Sequence, residues 1–108
     1  TSAFLVFGGG CIFLAEDEGN LVGLVACVVM PPQTLYRNKI VASEPFWWVS
    51  PEHRKKGVGV LLMNAYENWA REGGCHSVQC GSLDDDTSKL LRAIGFKQIS
   101  STYMKDLL

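Results

Sequence analysis

The chain has 108 residues, 47% of them hydrophobic, and a formal net charge of −1. A chain of this length can bury one modest hydrophobic core, so we predict a single domain over residues 1–108. The near-balanced charge argues against a nucleic-acid or membrane partner. No apolar run reaches the ~20 residues that span a bilayer, and no basic segment precedes the apolar stretch 3–15, which argues against a signal peptide. We therefore expect a cytoplasmic protein.

The four cysteines give no sign of a metal site. Cys11, Cys27, Cys75 and Cys80 lie at spacings that match neither a zinc site nor a disulfide framework. Scattered free thiols in a hydrophobic core are the simpler interpretation. We predict that the protein holds no metal.

The first half of the chain predicts β-strands. Residues 11–16 are typical of a strand, and Asp17-Glu18-Gly19-Asn20 predicts a hairpin turn in which glycine and asparagine take positive φ. The valine-rich run 21–30 is typical of a strand buried on both faces. A polar loop is expected over 33–39. Residues 40–49 form the next predicted strand, in which Pro45 lacks an N–H and therefore predicts a bulge or an edge.

The second half alternates between helices and strands. Apolar residues at positions 58, 61, 62, 65, 66 and 69 form one helical stripe. Three acidic residues at 84–86 are suited to the start of a second helix, and Gly95 to its end. The predicted elements are a helix at 58–71 that Gly73-Gly74 ends, a strand at 77–83, a helix at 87–94 and a strand at 96–104.

Residues 47–60 form the most informative segment. An apolar strand meets Pro51, and a basic turn then leads to two glycines that open a helix. The first amides of a helix lack intrahelical partners and lie at the positive end of its dipole. Glycines at 57 and 59 would let backbone N–H groups approach phosphate oxygens closely. The segment therefore predicts a pyrophosphate site, with further positive charge from Arg54, Lys55 and Lys56.

The spacing of this segment is neither that of a P-loop nor that of a dinucleotide fingerprint. The pattern Arg54-x-x-Gly57-x-Gly59, after a strand that ends Val49-x-Pro51, resembles the acetyl-CoA-binding motif of the GNAT family of N-acetyltransferases. The similarity covers the chain from about residue 11 and is greatest with small phage or environmental members. It implies an α/β fold of the α+β type: a mixed, mostly antiparallel central sheet with helices on its faces and splayed strands forming the acetyl-CoA cleft.

The resemblance also implies how acetyl-CoA, the co-substrate, would be held. Backbone groups of Trp47 and Val49 would bind the pantetheine arm, and the Val49 N–H would polarise the thioester carbonyl. Of Trp47 and Trp48, one would face the core, and the other could face the pantetheine or the acceptor. The residues expected around the phosphates are Arg54, Lys55, Lys56, Gly57, Val58, Gly59 and Val60.

Direct transfer to an amine requires a base, because an ammonium group is not nucleophilic. The resemblance favours Glu44, just before Pro45, with Ser43 as the alternative if the register differs by one residue. A solvated edge carboxylate is the other interpretation of Glu44. His53 could titrate usefully, but a surface or capping role is the simpler interpretation.

The chain departs from the family pattern at the proton donor. Leu91 stands where many members have the tyrosine that protonates the departing thiolate, and Asp84 replaces an asparagine that often opens the same helix. Tyr103 is a possible substitute donor, although a half-buried strand tyrosine is the alternative. The resemblance also implies that an N-terminal strand and helices, which wall the acceptor site, are missing. An exposed sheet edge would then favour a homodimer.

The function that these residues favour is acetyl-CoA-dependent N-acetylation, by direct transfer to a primary amine of a small molecule or peptide. The alternative is a catalytically impaired acyl-CoA-binding protein of the same fold. A module that holds only sulfate or phosphate is a third possibility. The sequence does not identify the acceptor.

Overall fold

The computed structural model describes residues 2–7, 10–30, 40–82, 84–99 and 103–108, with the backbone alone for 2–7. Within these ranges the elements are β1 (Ser2–Phe7), β2 (Gly10–Asp17), β3 (Asn20–Val29), β4 (Val41–Val49), α1 (Val58–Glu72), β5 (Ser77–Cys80) and α2 (Asp85–Ala93). The strands form one sheet in the order β1-β2-β3-β4-β5. Pairing is antiparallel from β1 to β4 and parallel between β4 and β5. This confirms the predicted mixed, mostly antiparallel sheet.

The hairpin between β2 and β3 turns at Glu18 and Gly19, which have φ values of 51° and 81°. Two successive positive φ values are typical of the tight turn that matches the twist of a hairpin. The prediction gave the second positive φ to Asn20, but Asn20 pairs with Asp17 as the first residue of β3. The predicted turn is thus confirmed, but the two positive φ values fall on Glu18 and Gly19 instead of Gly19 and Asn20.

Strand β4 contains the bulge that Pro45 predicted. Ala26 pairs with Phe46, but Val28 pairs with Ser43, so β4 advances three residues while β3 advances two. Proline has no N–H for the ladder, and an extra residue at this point leaves it unpaired. The pairing of β4 with β5 stops here as well, which makes Pro45 the point where the two strands separate.

Helix α1 packs on the sheet, and its buried side chains join those of the strands in one core cluster. Its buried residues are Gly59, Leu62, Met63, Tyr66 and Ala70. Gly23 on β3 allows the close approach, because a Cβ there would lie 3.0 Å from Leu62 Cδ1. The predicted apolar stripe was partly wrong. Leu61 is 50% exposed, whereas Met63 and Ala70, which the stripe left out, are buried against the sheet. Full burial of a side chain such as Leu62 contributes about 1.5–3 kcal/mol.

Both helices end as predicted, at glycines in the left-handed region. Gly74 has φ 81° and Gly95 has φ 102°. The N–H groups of Cys75 and Phe96 then donate to carbonyls five residues earlier, at 2.9 Å in each case. This is the Schellman arrangement, in which glycine has no Cβ to clash. No helix in the described ranges is long and apolar enough to cross a bilayer.

Several predicted boundaries were wrong. Strand β5 ends at Cys80, and no strand covers the described residues of the predicted 96–104. Phe96 instead closes the end of α2 and packs against the core. Strand β1 was not predicted; it pairs with β2 along its whole length. The predicted loop 33–39 and residues 100–102 lie outside the described residues.

The helices were expected on more than one face of the sheet. In the part of the chain that the structure describes, α1 and α2 share one core cluster, to which α2 contributes Leu91. Cross-strand neighbours Leu14, Leu24 and Trp48 lie on the opposite face. The described helices therefore cover one face only.

Candidate functional site

The C-terminal half of β4 is open along one edge. The Ser50 N–H donates to the Val22 carbonyl at 2.7 Å, which makes Val22 and Ser50 a hydrogen-bonded pair. In an antiparallel ladder such pairs alternate, so the backbone groups of Trp47 and Val49 point away from β3. Strand β5 does not reach them, because its last partner on β4 is Glu44. These two residues therefore face a gap between β4 and β5, as the resemblance implied.

The N-terminus of α1 lies beyond the end of this gap and has no side-chain cap. Gly57, its N-cap residue, has φ 82°, and its carbonyl accepts the N–H of Leu61 at 3.0 Å. The amides of residues 58–60 precede that first helical bond and have no partner within the helix. A Cβ at Gly57 would meet nothing within 4 Å. Glycine is thus required here by its conformation.

The missing side chain of Gly59 serves helix packing, and the predicted contact of its N–H with phosphate stays a prediction. Gly59 is buried, and a Cβ there would lie 3.2 Å from Trp47 Cζ2, 3.7 Å from Leu90 Cδ2 and 3.8 Å from Val49 Cγ2. The missing side chain therefore faces the sheet and α2, and it lets α1 approach β4. A valine at Gly59 would disturb helix packing as well as any ligand, so it is a poor probe of phosphate binding.

In the basic turn, Arg54 makes a contact with the strand before it, while the side chains of two lysines are exposed. Arg54 Nε donates to the Val49 carbonyl at 3.0 Å, which ties the turn to the end of β4. Lys55 and Lys56 are exposed. His53 lies 3.3 Å from Asp17 Oδ2 and 3.3 Å from Ser50 Oγ, so its ring joins the turn to the β2–β3 hairpin. These contacts agree with the structural interpretation of His53.

The two tryptophans divide as the strand alternation predicted. Trp47 packs against the core on the helix-covered face, and Trp48 lies on the other face beside Leu24. The indole Nε1 of Trp47 is buried without a hydrogen-bond partner among the described residues. A buried donor without a partner is costly, typically ~1–3 kcal/mol.

Glu44 stands where β4 and β5 part. Its Oε2 accepts from the Cys80 thiol and from the Gly81 N–H, each at 3.4 Å. Burial raises the pKa of the Glu44 carboxyl, while these two hydrogen bonds act to lower it. The carboxyl is therefore partly buried rather than fully solvated. Ser43, the alternative base, pairs with Val28 and alternates with Glu44, which places it on the opposite face.

The positions at which the chain departs from the family pattern, and the possible substitute donor, have different surroundings. Leu91 is 6% exposed within the core, which explains why an apolar side chain stands there. Asp84 caps α2 through a 2.7 Å bond from the Thr87 N–H to its Oδ1. Tyr103 is 92% exposed, so the alternative of a half-buried strand tyrosine was wrong. Its role as a donor stays a prediction that no contact in the described structure supports.

Sequence reasoning missed Cys80, which contacts Glu44 across 36 positions of the chain. No sequence signal marked it beyond its place within the predicted strand 77–83. The described residues contain no cluster of metal-ligating side chains. The four cysteines are free, and Cys11 and Cys27 are buried. Burial raises the pKa of the Cys27 thiol to about 12, in agreement with an inert core thiol.

Known proteins resemble this chain in sequence and in fold. N-acetyltransferase 8 of Homo sapiens is 27% identical over 105 residues, which cover 95% of this chain and 45% of the human protein. Aminoglycoside N(6')-acetyltransferase type 1 of Klebsiella aerogenes is 36% identical over 65 residues, 59% of this chain and 42% of that protein. A solved aminoglycoside N-acetyltransferase in complex with CoA has a TM-score of 0.79 at 19% identity, covering 91% of this chain and 75% of that one.

The chain thus spans less than half the length of either sequence relative. The structural likeness, at this identity, shows the fold. The resemblance to small phage or environmental members stays a prediction. A family model described as the acetyltransferase (GNAT) family matches residues 2–96, so the similarity begins earlier than the predicted residue 11. The chain belongs to the acetyltransferase (GNAT) family.

Proposed function

We propose that this chain binds acetyl-CoA and transfers the acetyl group directly to a primary amine of a small molecule or peptide. The observation that carries the proposal is the open half of β4. It leads from the uncapped N-terminus of α1 to a partly buried carboxylate, Glu44. Phosphates bound at one end of the gap would place an acyl group at the other end.

The length of the gap indicates which backbone N–H group of β4 lies nearest the thioester. Val49 lies five positions after Glu44, and at a strand rise of ~3.3 Å per residue the two positions are about 17 Å apart. An extended pantetheine arm from the α1 N-terminus would therefore bring its thioester near Pro45. The N–H of Trp47 is closer to that position than the N–H of Val49. We assign the polarisation of the thioester carbonyl to Trp47, and the binding of the pantetheine arm to Val49.

Glu44 is suited to take the proton of the incoming ammonium group. A base works best when its pKa lies near the operating pH, and burial moves the pKa of Glu44 in that direction. The departing thiolate has an ordinary pKa of roughly 8.5, so it can leave without a dedicated acid. The apolar Leu91 is then compatible with transfer.

The test is Glu44→Gln, which keeps the shape of the side chain and removes the base. We expect acetyl-CoA affinity to be retained and turnover to fall by ~10²-fold. The deficit should shrink at alkaline pH, where the acceptor is already deprotonated. Glu72→Gln, on the exposed end of α1, is the matched control and should keep turnover. Equal turnover in the parent and in Glu44→Gln at every pH would assign the base to another group.

The acyl-CoA-binding alternative rests on Leu91 in the core and on the exposure of Tyr103. Calorimetry with acetyl-CoA, CoA and phosphate, followed by an amine panel, separates the candidates. The panel should include aminoglycosides, since two relatives are named for them, together with polyamines and peptide N-termini. Binding of CoA without transfer to any amine favours the binding protein. Equal affinity for phosphate and CoA favours a simple anion site.

A further inference from the structure

Cys80 occupies the point where the gap begins. It is the last residue of β5 and the register partner of Glu44, the last β4 residue that pairs with β5. Its thiol lies 3.4 Å from Glu44 Oε2, the nearer of its two acceptors, the other being the Gly81 carbonyl at 3.6 Å. The Gly81 N–H donates to the same Glu44 oxygen at 3.4 Å. Both described hydrogen bonds to Glu44 therefore end on Oε2. They leave Oε1 as the oxygen available to a group in the gap.

The other titratable groups near Glu44 carry no charge at neutral pH. They are Cys27 on β3, Tyr66 on α1 and Cys80 on β5, and burial raises the pKa of each. The Tyr66 hydroxyl is already engaged, because it donates to the Gln79 carbonyl at 2.7 Å. No cation in the described residues shifts the pKa of the Glu44 carboxyl. Its orientation and its ionisation thus depend on burial and on two donors.

We propose that Cys80 is a positioning residue for Glu44: its thiol, with the Gly81 N–H, holds Oε2 so that Oε1 faces the gap and receives the amine proton. The catalytic part of this inference rests on the proposed function, in which Glu44 is the base. A donor to a carboxylate stabilises the charged form and lowers the pKa. Cys80 therefore also opposes the rise in the pKa of the Glu44 carboxyl that burial causes.

The test compares Cys80→Ala, which removes the donor, with Cys80→Ser, which keeps a hydroxyl donor at a similar position. Titration of the Glu44 carboxyl carbon by NMR measures its pKa without any substrate. We expect the pKa to rise by about half a pH unit or more in Cys80→Ala, because a hydrogen bond to the charged form is lost. Cys80→Ser should return it toward the parent value. Cys75→Ala removes a thiol that lies between α1 and β5, away from Glu44's register partner. It is the control and should leave the pKa of Glu44 unchanged.

Kinetics supply the second readout. In Cys80→Ala, kcat at neutral pH should fall by about threefold or more, the acid limb of its pH profile should move to higher pH, and KM for acetyl-CoA should stay constant. Cys80→Ser should recover most of the loss. An unchanged Glu44 titration in Cys80→Ala overturns the inference even if Glu44→Gln abolishes turnover. A raised pKa with no effect of Glu44→Gln on turnover keeps the contact but refutes the proposed base.

Discussion

The two helices of this domain begin in opposite ways. At the start of α2, Asp84 Oδ1 accepts the Thr87 N–H at 2.7 Å, and two further carboxylates lie in the first turn. At the start of α1, Gly57 has no side chain to offer, and the first turn contains no acidic residue. Lysines at 55 and 56 stand just before it. One N-terminus is satisfied within the chain, and the other is left positive.

The capped end of α2 therefore serves stability, and the uncapped end of α1 is suited to binding an anion. Every helix N-terminus carries unpaired amides and partial positive charge. In α2 the carboxylates of the first turn interact favourably with that positive charge and so stabilise the helix. The Thr87 N–H in turn lowers the pKa of Asp84. In α1 the same charge has no partner from the described residues of its own first turn, so a bound phosphate can use it. The following predictions test whether the two ends can be exchanged or separated.

The largest effect is expected when α1 is made to resemble α2. Gly57→Asp places a carboxylate at the uncapped end, where it would repel a phosphate. Asparagine and aspartate both tolerate positive φ better than most residues, so Gly57→Asn is a control of the same shape without the charge. We expect Gly57→Asp to lose about tenfold or more in CoA affinity by calorimetry, or ~1.4 kcal/mol. Gly57→Asn should lose clearly less.

Equal losses in the two variants would mean that the backbone conformation of Gly57 matters and the charge at this end does not. Equal affinity in all three proteins would remove the phosphate site from the N-terminus of α1. The midpoint of thermal unfolding should be compared in parallel, because it reports strain in the variants that affinity alone would not separate.

The features predicted correctly depend on neighbours in sequence. Pro45 cannot donate to a ladder, and Gly74 and Gly95 end helices because of their own conformational freedom. The open half of β4 was implied by the resemblance and then explained by the register. The proline and glycine signals each lie within a few residues of the structure that they determine.

The features that failed depend on partners far along the chain. The close packing that requires a glycine at position 59 involves Trp47 and Leu90 of the second helix. Glu44 contacts Cys80 across the parallel pairing of β4 with β5. Residues 96–104 have a strand-like composition, but Phe96 is used to close α2. Local patterns carry no information on which of these distant contacts wins.

A smaller effect is expected from the basic turn. Lys55 and Lys56 are exposed, so their attraction to nucleotide phosphates should be screened by salt. Changing both to alanine should weaken CoA binding several-fold at low ionic strength and by little at high ionic strength. The control replaces two exposed lysines elsewhere, Lys97 and Lys105, and should show neither effect. A loss that is independent of salt would point to altered loop structure rather than to charge.

The smallest effect on binding is expected at the capped end, where the change should appear in stability. Asp84→Ala removes the acceptor of the Thr87 N–H, so the melting temperature at pH 7 should fall by a few degrees. The folded-state pKa of Asp84 is lowered, so its contribution is present above the unfolded value of roughly 3.9 and is lost as pH falls through the folded value. The difference between parent and variant should therefore vanish in acid.

The same variant checks that the two helix ends act independently. Arg54 lies close enough to help lower the pKa of Asp84, so removing the carboxylate leaves the basic turn slightly more positive. CoA affinity in Asp84→Ala should stay within about twofold of the parent or rise, since surface charge effects of this kind are small. Asp106→Ala, in the exposed C-terminal segment, controls for loss of a negative charge. A large loss of CoA affinity in Asp84→Ala would show that the capped end also supports the ligand, because the two N-termini would then act as one site.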